Sequence, residues 1–111
     1  MNTFVYNAIV TSVYDGDTIT CDIDCGFGVI LQKQKVRLYG LNTPEVRGEE
    51  KVEGIISRDK LREKIDKKNV HLETIKDKKG KYGRYLGIIH LNGENINDWL
   101  IENKLGVKAD Y

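Results

Sequence analysis

Apolar and polar residues alternate loosely over residues 6–14, in a stretch rich in Val, Ile, Thr and Tyr, and this period of two predicts a first strand. Asp15-Gly16 is a hairpin turn signal. A second strand is predicted over residues 18–24, where the alternation is clean. Gly26-Phe27-Gly28 interrupts it, and residues 29–41 read as a third strand. Within that strand Val36, Leu38 and Gly40 share one face, while Lys35, Arg37 and Tyr39 share the other. Pro44, the only proline, falls in a loop and keeps Thr43 out of the helical region.

From residue 49 to about 67 the apolar spacing becomes helical. Val52, Ile55, Ile56, Leu61 and Ile65 recur at three- and four-residue intervals, with Gly54 as a weak point. A fourth strand is predicted over 70–75, a basic glycine-containing loop over 76–83 and a fifth strand over 84–91. Asn92-Gly93 is a second turn signal. A closing helix over 96–104 has Asn95 as its N-cap, Asp98 in its first turn and Gly106 as its stop. Ile96, Trp99, Leu100 and Leu105 form its expected buried face. Three strands, a helix, two strands and a helix is the layout of an α+β, mainly β domain: a five-stranded OB-fold barrel with a helix between strands 3 and 4 and a C-terminal helix.

The length of 111 residues suits one domain spanning residues 1–111. Apolar residues at 40% and charged residues at 32% exclude a disordered chain. No apolar run approaches a membrane span, and no leader of the secretory type is visible, so an intracellular protein, viral hosts included, is favoured. A net charge of +1 gives no global pull on nucleic acid, so any such binding rests on local clustering. A monomer is expected. Cys21 and Cys25, the only cysteines, would lie on one strand face about 13 Å apart at roughly 3.3 Å per residue, too far for a disulfide. They also lack partners at zinc spacing. His71 and His90 have no neighbours at ligand spacing and read as structural.

Three segments carry the candidate chemistry: Asp15-Gly16-Asp17-Thr18, then Arg37 with Asn42-Thr43-Pro44-Glu45, then Lys81-Tyr82-Gly83-Arg84. Each has an ordinary reading by itself: a hairpin turn, a salt-bridged strand arginine paired even to Glu45, and a solvated basic loop. Together they supply what phosphodiester cleavage needs. Hard oxygens hold a cation, a carboxylate activates water, and forked guanidinium groups hold phosphate charge. Tyr39 and Tyr85 suit either base stacking beside the site or barrel packing.

The segment Val36-Arg37-Leu38-Tyr39-Gly40-Leu41-Asn42-Thr43-Pro44-Glu45, flanked by Asp15-Gly16-Asp17-Thr18 and Lys81-Tyr82-Gly83-Arg84, closely resembles the staphylococcal nuclease (thermonuclease-like) family, in the same order and over nearly the whole chain. That resemblance implies an OB-fold barrel hydrolysing DNA and RNA with calcium. It pairs Asp17 with a metal-binding aspartate, Thr43 with a residue whose carbonyl coordinates the ion, and Arg37 and Arg84 with two catalytic arginines. Glu45 corresponds to the general base, and Lys81 and Tyr82 to groups contacting substrate phosphate. The resemblance also sets Tyr111 against a phosphate-contacting tyrosine, although the local spacing does not match. One departure bears on the metal: the family has an aspartate where this chain has Asn42. An amide oxygen is still a calcium ligand, but with one charge fewer the metal should bind more weakly. The expected activity is a calcium-dependent endonuclease with little sequence preference, acting on single-stranded DNA or RNA. The competing readings are a single-stranded nucleic-acid-binding OB module that does not cut, and a protein-interaction domain.

Overall fold

The computed structural model describes residues 3–79 and 84–109. Strands β1 (Thr3–Asp15), β2 (Thr18–Asp24) and β3 (Ile30–Leu38) form an antiparallel meander. The 3₁₀ turn Gly48–Glu50 leads into helix α1 (Lys51–Ile65). Strand β5 (Asn69–Lys79) then pairs with β1, and β6 (Tyr85–Leu91) pairs with β5. Parallel pairing of β6 with β3, at Val36↔Tyr85, Arg37↔Leu86 and Leu38↔Gly87, closes the ring. The five long strands thus make a closed mixed barrel with two helices, the OB-type architecture expected from the order of elements. Short β4 (Leu41–Asn42) pairs with β8 (Val107–Lys108), and β7 (Glu94–Asn95) precedes α2 (Ile96–Glu102).

The barrel interior is aliphatic. Val10, Ile19, Cys21, Val36, Leu38, Leu72 and Ile89 are fully buried and meet Leu61 and Ile65 of α1 and Ile96 and Leu100 of α2. A large-to-small change at such a site costs about 2–5 kcal/mol. Asn95 caps α2 as expected, its side-chain oxygen accepting from the Asp98 N–H at 3.0 Å. Trp99 and Leu105 are half-buried against the core, and the Lys64 ammonium lies 5.0 Å from the Trp99 ring centroid. Asn97 is buried too: its amide donates to the Tyr39 and Gly87 carbonyls and accepts from the Ile89 N–H. Both cysteines are free thiols. His90 bonds Glu73 at 2.9 Å, a surface pair across β5 and β6.

Several boundaries depart from expectation. The third strand ends at Leu38 because Tyr39 and Gly40 turn, Gly40 with φ +87°, before β4 begins. Arg37 lies on the strand face opposite Val36 and Leu38, yet it is buried as they are. Helix α1 stops at Ile65 and α2 at Glu102. Residues 76–79 continue β5 instead of starting a loop; the remainder of that loop, with Lys81 and Tyr82, and also Tyr111, lie outside the described residues. The buried face of α1 is Gly54, Ser57, Leu61 and Ile65, whereas Val52 and Ile56 are exposed.

The reason lies at Gly54. A Cβ there would sit 1.9 Å from the Glu45 carbonyl oxygen, so the helix passes directly against the loop that carries Glu45. Small residues on this face let backbone approach backbone, and Ser57 donates to the Leu105 carbonyl at 2.6 Å. No helix among the described residues is long and apolar enough to cross a membrane.

Candidate functional site

One open cleft of about 1340 Å³ lies on the barrel wall, larger than a typical small-molecule pocket. Asp17, Arg37, Asn42, Thr43, Glu45 and Arg84 all line it. Six residues from four separate segments therefore share a single surface. Tyr39 is not among the residues lining the cleft, and Tyr85 lines a small apolar pocket with Tyr6, Ile23, Cys25, Leu31 and Thr74, so packing accounts for it.

The floor is built around Asp17, at the Asp15-Gly16 turn. Its backbone carbonyl accepts from the Leu38 N–H at 2.8 Å. Its carboxylate accepts from the Thr18 hydroxyl at 3.2 Å and the Thr43 N–H at 3.0 Å, and it lies 3.3 Å from Arg37 Nη2. These bonds pin the turn to the loop after β3. Arg37 is only 8% exposed, and a buried guanidinium must be well paired. Its Nη1 donates to the Leu38 and Leu41 carbonyls at 2.8 and 3.0 Å, and its Nη2 to Asn42 Oδ1 at 2.7 Å. The observed ion pair of Arg37 is with Asp17, where the bland expectation was Glu45.

Thr18 joins the two ends of the site. Its hydroxyl donates to Asp17 and accepts from Arg84 Nη1 at 3.4 Å. Glu45 is exposed at the rim, its N–H donating to Glu50 Oε1 at 3.3 Å. Asp15 lies beside Asp17, and its carboxyl is pushed up to about 7, first by burial and then by its hydrogen bond with Asp17 and the Asp17 charge.

The oxygens here are all hard: two neighbouring carboxylates, the Asn42 amide oxygen, and Thr43, whose buried hydroxyl has no hydrogen-bond partner among the described residues. That donor chemistry fits calcium or magnesium and not zinc. Among the described residues no three His, Cys, Asp or Glu side chains converge as a metal cluster.

Sequence reasoning missed much of the cleft lining. Arg47, Arg58 and Arg62 also line it. Arg47 donates to the Tyr14 hydroxyl at 2.8 Å, and Arg62 to the Val13 carbonyl at 2.8 Å. The visible signal was the spacing of Arg58 and Arg62, one helical turn apart and hence on one face.

Barrel and cleft together define an OB-fold protein with an acidic floor ringed by arginines on its outer wall. The chain belongs to the family described as staphylococcal nuclease homologues, whose model matches residues 35–110. It is 35% identical over 106 residues to a protein named thermonuclease from Staphylococcus intermedius, covering 93% of this chain and 60% of that protein. It is 33% identical over 105 residues to a thermonuclease from Staphylococcus hyicus, covering 92% of this chain and 59% of that one. The chain thus spans about three-fifths of the length of these relatives.

Proposed function

We propose that this chain is a calcium-dependent endonuclease that hydrolyses phosphodiester bonds of DNA and RNA with little sequence preference, single strands being the most accessible substrate. The observation that carries the reading is the convergence of Asp17, Arg37, Glu45 and Arg84 on one cleft. The names of the two relatives, both thermonucleases, agree with it.

In this reading Asp17, Asn42 and the Thr43 carbonyl hold the cation, which when bound supplies Lewis acidity at the scissile phosphate. Glu45, at the solvent-facing rim, takes the proton from the attacking water. Arg37 and Arg84 donate to the non-bridging oxygens as charge builds on them, a geometry lysine does not match. Arg37 is held rigidly by the Leu38 and Leu41 carbonyls through Nη1, while its Nη2, bonded to Asn42 Oδ1 and 3.3 Å from Asp17, stands beside the groups proposed to hold the cation. Lys81 and Tyr82 contact substrate phosphate. A site made of phosphate contacts positions a strand without reading its bases, hence the weak sequence preference.

Incubation with single-stranded DNA, with and without calcium, tests this for the native chain and Glu45→Ser. Calcium-dependent cleavage that is lost in the variant supports the enzyme. Strand binding with no cleavage in either protein overturns it in favour of a binding module.

A further inference from the structure

The cleft is more basic than the chain. Lys35, Arg37, Arg47, Arg58, Arg62 and Arg84 line it against only Asp15, Asp17 and Glu45, whereas the whole chain carries a net charge of +1. These cations fall on two sides. Arg84 precedes β6 and Lys35 and Arg37 stand on β3, at one edge of the strand sequence β6-β3-β2-β1. Arg58 and Arg62 stand on α1, which packs on β1 at the other edge, with Arg62 bonded to the Val13 carbonyl.

Around the closed ring β3 and β6 each lie two strand spacings of about 4.8 Å from β1, through β2 and β5 respectively, so the two walls lie roughly 10 Å apart. No single phosphate spans that gap. At about 3.4 Å per nucleotide in a stacked strand, it corresponds to roughly three nucleotides.

We propose that Arg58 and Arg62 form a second phosphate-binding wall, which takes the backbone of a single-stranded polynucleotide several nucleotides away from the phosphate held between Arg37 and Arg84. The inference deepens the nuclease reading by assigning the polymer contacts, and it rests on that reading for the position of the reacting phosphate. The two arginines are one helical turn apart, about 6 Å along the axis, and suit successive phosphates of a strand crossing the helix face.

Their present partner is consistent with this role. Asp59 Oδ1 lies 3.0 Å from Arg58 Nε and 3.9 Å from Arg62 Nη1, and Asp59 itself is 55% exposed. Such a surface pair is worth little, so an incoming phosphate competes for the guanidinium groups at small cost. The terminal nitrogens of Arg58 have no partner among the described residues. Asp59 acts as a built-in competitor for the same two cations.

The test is fluorescence anisotropy of a labelled oligothymidylate of about a dozen nucleotides, against a labelled dinucleotide, in chelator and over a range of salt. The double variant Arg58→Gln/Arg62→Gln is expected to bind the long strand more weakly, with a salt slope lowered by about 1.4, or about 0.7 for each lost phosphate contact. The preference for the long strand over the dinucleotide should shrink. Asp59→Asn should act the other way and tighten long-strand binding. A double variant with the native slope and length preference, or an Asp59→Asn protein that binds no better, overturns the proposal. Cleavage by the native chain with calcium is scored separately. If it is absent while the binding changes appear, the second wall stands and the nuclease reading falls.

Discussion

Gly54→Ala is the sharpest probe of how the fold carries the site. An ideal Cβ at residue 54 would lie 1.9 Å from the Glu45 carbonyl oxygen, 2.4 Å from the Glu45 carbonyl carbon and 2.8 Å from the Val46 nitrogen. All three atoms are backbone, so no side chain can rotate away. Reopening the shortest contact to 3.0 Å requires a shift of about 1.1 Å in either the loop or the helix. In an exposed helix the same change would stabilise by about 1 kcal/mol. Here overpacking opposes that with about 1–3 kcal/mol, so the net loss of stability should stay below about 2 kcal/mol. The loop, whose Glu45 N–H donates a 3.3 Å bond to Glu50 Oε1, is the softer partner, whereas α1 is anchored in the core by Leu61 and Ile65. Glu45 should therefore move by about 1 Å, a displacement that typically costs on the order of 10² in rate. Initial rates on single-stranded DNA with calcium, together with thermal melting, measure both quantities. A variant that cuts at the native rate and melts at the native temperature would refute both the close approach and the placement of Glu45.

Asn42→Asp adds a charge beside the cation, worth about 2 kcal/mol for a divalent ion at 4 Å in water, so calcium titration should show roughly thirtyfold tighter binding; unchanged affinity removes Asn42 as a ligand. Arg84→Lys should lower the cleavage rate by roughly 10²–10³, because an ammonium does not match the paired donors of the guanidinium; an unchanged rate removes Arg84 from the reaction. Arg37→Lys should lower both rate and stability, the latter by about 1–3 kcal/mol, since an ammonium keeps the charge beside Asp17 but cannot replace the forked bonds to the Leu38 and Leu41 carbonyls and Asn42; native melting for Arg37→Lys would show that these bonds are dispensable. Burial, and then the Asp22 charge, pushes the Cys21 thiol from 9.0 up to about 12. Stability from this group is therefore intact below pH 9 and falls by up to about 1.4 kcal/mol per pH unit as pH rises towards 12, a slope that denaturant titrations of Cys21→Val should lack. At neutral pH a thiol reagent should modify half-buried Cys25 in the folded protein and reach Cys21 only on unfolding.

The barrel was legible because its signals are local. Alternation in β1 and β2, the Asp15-Gly16 and Asn92-Gly93 turns and the Asn95 cap each depend on a few adjacent residues, and each reappears in the structure. Helix α1 and its buried Leu61 and Ile65 were legible, but the buried face of its first half was not, because apolar periodicity assumes that a helix packs with large side chains. This one packs against loop backbone, so glycine and serine occupy the buried positions while Val52 and Ile56 face solvent. The burial of Arg37 was equally hidden from an alternation rule. It depends on two carbonyls that point at the guanidinium only after Tyr39 and Gly40 turn the chain. The motif residues of the site could be named from sequence, but the arginines of α1 could not be assigned to it. Their membership follows from helix α1 lying on β1, a tertiary contact with no local signature.

The hydrogen bonds divide the cleft into halves of unequal stiffness. Asp17 is tied to Leu38 through its carbonyl and to Thr43, Thr18 and Arg37 through its carboxylate, and Arg37 is tied in turn to two further carbonyls and Asn42. Moving any one of these groups breaks bonds across segments 26 residues apart in sequence, so the half proposed to hold cation and phosphate is preorganised. Glu45 lies just beyond that lattice, on a loop positioned mainly by contact with a helix that lacks a side chain at residue 54. Damage to the loop should therefore reach the proton transfer proposed for Glu45 before it reaches binding. For Gly54→Ala this means a fall in kcat with KM and calcium affinity near native. Equal losses in all three would mean that the two halves move as one body and that the stiffness argument fails.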